Sequence, residues 1–149
     1  MADSNTTQSA DHDLTNAVVL EGLVVHGQQL GRRLGYPTAN LQLPDAATIS
    51  LPSPGVYAAW AWLEDGSRRI AMVNIGYRPT VSDERHVLSI EAHIDGYEGD
   101  LYDQRIRLTF VKRIRDERRM SSLDELRQQL ATDLSVVRHT LVVDHSAPV

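Results

Sequence analysis

From His86 to Ile94 the chain alternates without a break, Leu88, Ile90, Ala92 and Ile94 apolar, Val87, Ser89, Glu91 and His93 between them. Side chains two apart on a strand share a face, so this segment is a β-strand with one face to bury. Glu91 and His93 stand side by side on the other face, away from the core. Residues 105–111 repeat the pattern, with Ile106, Leu108 and Phe110 in phase. Two apolar runs, 56–64 and 70–75, flank Asp65-Gly66, a dipeptide that signals a hairpin. Residues 18–26 read as the first strand. The period then changes: Leu123, Leu126, Leu130, Leu134, Val137 and Leu141 recur every three or four residues, the stripe of one amphipathic helix over 122–142. Ser122 and Glu125 open it with the S-x-x-E capping pattern. Short strands, turn signals and one terminal helix predict a mainly β protein, a small antiparallel barrel with the helix packed across it.

A chain of 149 residues suits one domain, placed at 17–143. Residues 1–16 are rich in Ser, Thr, Asn and Asp and read as a disordered tail. Residues 43–54 hold three prolines and read as a connector, and 145–149 as a fraying end. Trp60 and Trp62 share one strand face and read as core packing. Cysteine is absent, which excludes disulfides and cysteine–zinc sites and fits a cytoplasmic location. No secretion signal or apolar run of membrane-spanning length is present, so no membrane partner is expected. The net charge of −5 argues against a general nucleic-acid binder. The six histidines show no H-E-x-x-H clustering, so a zinc site is not expected.

Residues 22–41, GLVVHGQQLGRRLGYPTANL, carry the chemistry-bearing motif. A strand-like run passes into Gly27, Gly31 and Gly35, with Arg32 and Arg33 among them. Glycines let backbone N–H groups line an anion site, and arginine offers a fixed fork of donors to phosphate oxygens. Pro37 holds Tyr36 extended, and continued extension points Thr38 and Asn40 the same way as two neutral oxygen ligands. The Walker pattern is absent, and polar Gln28, Gln29, Arg32 and Arg33 exclude a membrane-helix dimer. On spacing alone, a surface turn and a phosphate loop both stay open.

The full string closely resembles the signature of the riboflavin kinase family, whose hallmark is a Pro-Thr-Ala-Asn segment after a glycine-rich arch. Further matches follow in order: Pro54-Gly55-Val56-Tyr57, Val73-Asn74-Ile75-Gly76 with Arg78-Pro79-Thr80, Glu91-Ala92-His93-Ile94, Asp100-Leu101-Tyr102, and Phe110-Val111 followed by Arg115. The resemblance runs from about Leu20 to Leu141. It implies a six-stranded Greek-key barrel that transfers the γ-phosphate of ATP to the ribityl 5′-hydroxyl of riboflavin, giving FMN. Gly27, Gly31, Arg32 and Gly35 are implied to cover the phosphates, with Thr38, His93 and Tyr102 also at the nucleotide. Thr38 and Asn40 match the family's Mg²⁺ pair, and Glu91 its catalytic carboxylate, the general base. Neutral ligands bind free Mg²⁺ poorly, so the metal is expected to arrive with the nucleotide. The flavin slot is implied near Arg115, Arg118 and Met120, where the family usually has Phe in place of Met120. Many bacterial relatives carry this module behind a domain that adenylates FMN; this chain is expected to stop at FMN and to act as a monomer.

Two other readings use the same residues. One is a flavin-binding regulator or carrier that kept the barrel and lost turnover. The other is a nucleic-acid-binding barrel reading through Arg105, Arg107 and the basic residues of 113–119, which the acidic total and nearby aspartates disfavour.

Overall fold

The structure is a computed structural model that describes residues 13–26, 34–43, 51–79 and 86–144. Its strands are β1 (Asp13–Val25), β2 (Ala39–Gln42), β3 (Gly55–Trp62), β4 (Arg68–Pro79), β5 (His86–Ile94) and β6 (Arg105–Arg115), followed by one helix, α1 (Leu123–Asp144). The strands close into a barrel in the order β1-β2-β5-β4-β3-β6, every pair antiparallel. β3, β4 and β5 form a meander, and β6 returns to lie beside β3, which is a Greek key. The sequence expectation of a Greek-key barrel carrying one C-terminal helix is met.

Alternation decides what the barrel holds. Tyr57, Ala59 and Ala61 of β3, Ala71, Val73 and Ile75 of β4, Ile90, Ala92 and Ile94 of β5 and Ile106, Leu108 and Phe110 of β6 are all buried inside. Alanines from three strands leave room for two rings, Tyr57 and Phe110, which meet edge-on at 5.3 Å. The β3–β4 hairpin turns through residues 63–67: Gly66 takes a positive φ of 87°, and Asp65 Oδ1 accepts from the Ser67 amide at 2.8 Å. Asp65-Gly66 thus marks the turn that its sequence signals.

The opposite strand face carries a second, smaller core. Val56, Ala58 and Met72 stand outside the barrel and are covered by Leu134, Val137 and Leu141 of α1. Full burial of such aliphatic side chains is worth about 1.5–3 kcal/mol each, enough to fix a helix on a sheet. The helix begins at a serine cap, with Ser122 Oγ accepting the Glu125 amide at 3.0 Å. Only half of the expected capping box forms, because the Glu125 carboxylate turns back to the Ser121 amide at 2.6 Å instead of to Ser122.

Three sequence expectations need correction. β1 starts at Asp13, so residues 13–16 belong to a strand and not to the tail: β6 is long enough to give Asp13 a backbone partner at Lys112, past an irregularity between Asp13 and Val18. The rest of the tail, residues 1–12, and residues 145–149 lie outside the described residues. The helix ends at Asp144, not at 142. Trp60 and Trp62 lie on the outer face, because Tyr57, Ala59 and Ala61 take the inward positions. There Arg68 sits 4.0 Å from the Trp60 ring and Arg107 5.2 Å from the Trp62 ring, whose Nε1 donates to Thr109 Oγ1 at 3.0 Å. Trp60 still packs beside the helix-facing core. Among the described residues, no helix is long and apolar enough to cross a membrane.

Candidate active site

Strand register assembles the site. Asn40 of β2 pairs with Glu91 of β5, Glu91 with Asn74 of β4, Asn74 with Val56 of β3, and Val56 with Arg115 of β6. Paired residues share a face, and the neighbours Ala39, Leu41, Ile90, Ala92, Val73 and Ile75 all point inward. The lateral row Asn40, Glu91, Asn74, Val56 therefore faces outward, toward the end of the barrel where residues 116–122 and the first turns of α1 come across. Between them lies a cavity of about 950 Å³.

Of the residues singled out in the sequence, Thr38, Glu91, His93, Arg115, Arg118 and Met120 all line this cavity. The Thr38 hydroxyl donates to Glu91 Oε1 at 3.3 Å, and the Ser89 hydroxyl to Oε2 at 3.3 Å. Asn40 stands beside Glu91 in register without joining the cavity wall. His93 is buried with Nδ1 2.8 Å from the Pro37 carbonyl, which can only accept. The proton therefore sits on Nδ1, and Nε2 is the acceptor of the neutral ring. Tyr36 packs edge-on against this imidazole at 5.6 Å.

A second cavity, about 710 Å³, shares Tyr36 and His93 with the first and is lined by Gly35 and Pro37 from the end of the arch. Gly35 takes a φ of 91°, which a side chain would strain. Across this cavity Arg138 of α1 grips Asp95 at the end of β5 through two 2.7 Å hydrogen bonds. Those bonds hold the Asp95 carboxyl below the usual carboxylate range, against the opposing effect of partial burial.

Gly27, Gly31 and Arg32 lie outside the described residues. Tyr102 lines neither cavity; it stacks on His26 at 3.8 Å, where β1 gives way to the arch. Among the described residues, no cluster of three or more His, Cys, Asp or Glu is arranged to hold a metal by itself. Thr38 and Asn40 are hard neutral oxygen donors beside a carboxylate. That donor set fits Mg²⁺ delivered on a polyphosphate, since magnesium keeps waters and substrate oxygens in its shell.

Among the cavity residues that carried no role in the sequence reading are Tyr36, Asn74, Glu117 and Asp133. Asn74 Oδ1 is buried and has no hydrogen-bond partner among the described residues. Its signal is positional, an outward asparagine in a strand of buried apolar residues. The Glu117 carboxylate lies over Gly76, where a Cβ would overlap it, so the glycine makes room for the acid. Asp133 had a legible signal: it interrupts the stripe between Leu130 and Val137, and a carboxylate on the buried face of a helix needs a partner.

The flavokinase family model, described as riboflavin kinase, matches residues 14–141. The bifunctional riboflavin kinase/FMN adenylyltransferase of Pseudomonas fluorescens is 36% identical over 139 residues, 90% of this chain and 43% of that protein. The chain thus spans under half the length of the curated relatives it matches. Among solved structures, one described as a macrolide-efflux protein from Streptococcus pneumoniae superposes with a TM-score of 0.76 at 30% identity, covering 91% of this chain and 46% of that one. Riboflavin kinase from Trypanosoma brucei has the same fold, with a TM-score of 0.59 at 22% identity over 83% of this chain and 78% of that one.

Proposed function

The chain belongs to the riboflavin kinase family, and on that premise we propose that it transfers the γ-phosphate of ATP to the ribityl 5′-hydroxyl of riboflavin, giving FMN and ADP. The observation that carries the proposal is the 3.3 Å contact between Thr38 Oγ1 and Glu91 Oε1, on the wall of the first cavity beside the Tyr36–His93 pair that both cavities share.

In this reading the flavin ring enters the first cavity, between apolar Val56, Met72 and Leu130 and the loop carrying Arg118 and Met120. The methionine sulfur is a suitable soft surface for an aromatic ring. The nucleotide takes the second cavity, with its phosphates beside Gly35 and His93 Nε2 open to a donor on the base. The ribityl chain then runs past Asn74, whose unpartnered Oδ1 accepts from a ribityl hydroxyl, and ends at Glu91. The 5′-oxygen forms a bond to Pγ as the bond from Pγ to the β–γ bridging oxygen breaks, and Glu91 takes the hydroxyl proton. Phosphoryl transfer asks mainly for in-line positioning and charge neutralisation, so a rigid outer barrel face suits it. Thr38 and Asn40 would hold the Mg²⁺ carried on the triphosphate, and the ion would supply that neutralisation.

The test is incubation of the full chain with riboflavin, ATP and Mg²⁺, with separation of the flavin products. FMN formation that needs all three components is expected. Riboflavin binding without any FMN would overturn the kinase in favour of a flavin carrier.

A further inference from the structure

Arg115 reaches the first cavity from the last position of β6, and a carboxylate of the helix holds it there. Asp133 is 2% exposed. Arg115 Nε lies 3.0 and 2.9 Å from its two oxygens, and Nη2 lies 2.8 Å from Oδ2. Gln129, one turn earlier, donates to Oδ1 at 2.8 Å, and Arg115 Nη1 donates to the Asp116 carbonyl at 2.9 Å. A carboxylate so far out of water survives only when paired and hydrogen-bonded, and this one is gripped along a whole edge of the guanidinium.

Two consequences follow for the cavity that both residues line. The arginine charge is already neutralised, so Arg115 is a poor anchor for an anion. Arginine has five N–H groups; Nε donates to Asp133 and one Nη1 hydrogen to the Asp116 carbonyl, so even with Nη2 ion-paired to Oδ2 at least one hydrogen remains on each terminal nitrogen. The cavity as a whole is balanced, since Glu91, Glu117 and Asp133 stand against Arg115, Arg118 and Arg119. Around Arg115 such a surface suits a neutral acceptor, not a phosphate.

We propose that Asp133 is the positioning residue of the flavin site: by occupying the Nε/Nη2 edge of Arg115 it neutralises the guanidinium and presents the remaining donors to the carbonyl oxygens of the flavin's pyrimidine edge. The site thereby selects a neutral, dioxo heteroaromatic ring. This rests on the assignment of riboflavin to the first cavity.

The test compares Asp133→Asn with wild type, reading affinity for riboflavin and for lumiflavin, which keeps the ring and lacks the ribityl chain, by quenching of flavin fluorescence. Losing aligned donors to a carbonyl is expected to weaken both flavins about tenfold, by the same factor, with KM for ATP unchanged within about twofold. A general structural defect would raise both KM values together, and that result overturns the proposal. So does weaker riboflavin binding with lumiflavin unaffected, which would place the contact on the ribityl chain. If Asp133→Asn does not fold, the double variant Arg115→Met/Asp133→Leu removes both charges in a way buried pairs tolerate; wild-type flavin affinity in that protein overturns the proposal. Failure of the kinase reading looks different: wild type would make no FMN, whatever Asp133 does to ring affinity.

Discussion

Replacing Glu91 by Gln tests the transfer step with little disturbance to the fold. The outline of the side chain is kept. The bonds it accepts from Thr38 and Ser89 are both 3.3 Å long, at the weak end of the range. Hydroxyls rotate, and a glutamine amide can donate to the one that loses its acceptor. Stability is therefore expected to change by less than about 1 kcal/mol, a Tm shift below roughly 4 °C. The effect on turnover is a separate quantity. A positioned general base contributes about 10²- to 10⁴-fold. In a loose phosphoryl-transfer transition state the attacking oxygen is little bonded, so its proton moves late and the lower end applies. A fall in kcat of about 10²-fold, near 2.7 kcal/mol, is expected, with KM for riboflavin and ATP within about twofold. Steady-state FMN formation and thermal unfolding on the same preparations measure both quantities. A kcat loss under tenfold combined with a raised KM would refute the base assignment and leave Glu91 as a binding group.

Asn74→Ala removes a buried acceptor that has no partner, so stability should stay within about 1 kcal/mol by urea unfolding, while kcat/KM for riboflavin falls about tenfold; a large loss of stability would contradict the unpartnered state. Leu141→Ala, at a fully buried position on the sheet-facing side of α1, should cost about 3 kcal/mol and lower Tm by roughly 10 °C. A drop below about 3 °C would mean that the helix is not anchored there. The Asp95–Arg138 pair makes a pH prediction. The folded Asp95 pKa is depressed by Arg138, so its contribution is present above the ordinary carboxylate value of about 3.9 and disappears as pH falls through the lower folded value. With Arg138 half exposed the pair is worth under about 1 kcal/mol. The stability gap between wild type and Asp95→Asn should accordingly be seen at pH 7 and close below pH 4; a gap unchanged at pH 3 would argue against the pair.

Much of the fold was legible because its burial pattern is local. Alternation at Leu88–Ile94 and at 105–111, and the leucine stripe of α1, each record which face meets a core, and a window of ten residues suffices to read them. The start of β1 was not legible for the converse reason. Asp13 joins β6 through backbone pairing with Lys112, which leaves no mark on side-chain type. Alternation gives two faces without saying which one is inside the barrel: Trp60 packs on the core beneath the helix, outside the barrel, and Trp62 stacks with Arg107. A narrow barrel with Tyr57 and Phe110 inside needs small neighbours, and Ala59 and Ala61 supply them.

The site depends on a register that its own residues do not specify. Asn40 meets Glu91 because Ala39 meets Ala92 and Leu41 meets Ile90, all four inside the barrel. A one-residue slip of β5 would turn Glu91 and His93 into that interior, where an unpaired carboxylate and an imidazole are costly. A two-residue slip would keep the faces but carry Glu91 away from Thr38 and Asn40. The apolar row on one side of the sheet thus sets the position of the polar row on the other. Asp133 works by the same principle from the helix side: seated in the buried stripe with Leu134 and Val137, its carboxylate is placed by their packing on Val56, Ala58 and Met72. A change to that packing should therefore be felt first at Arg115, in flavin affinity, before it is felt at Glu91, whose position on β5 is set by the barrel register.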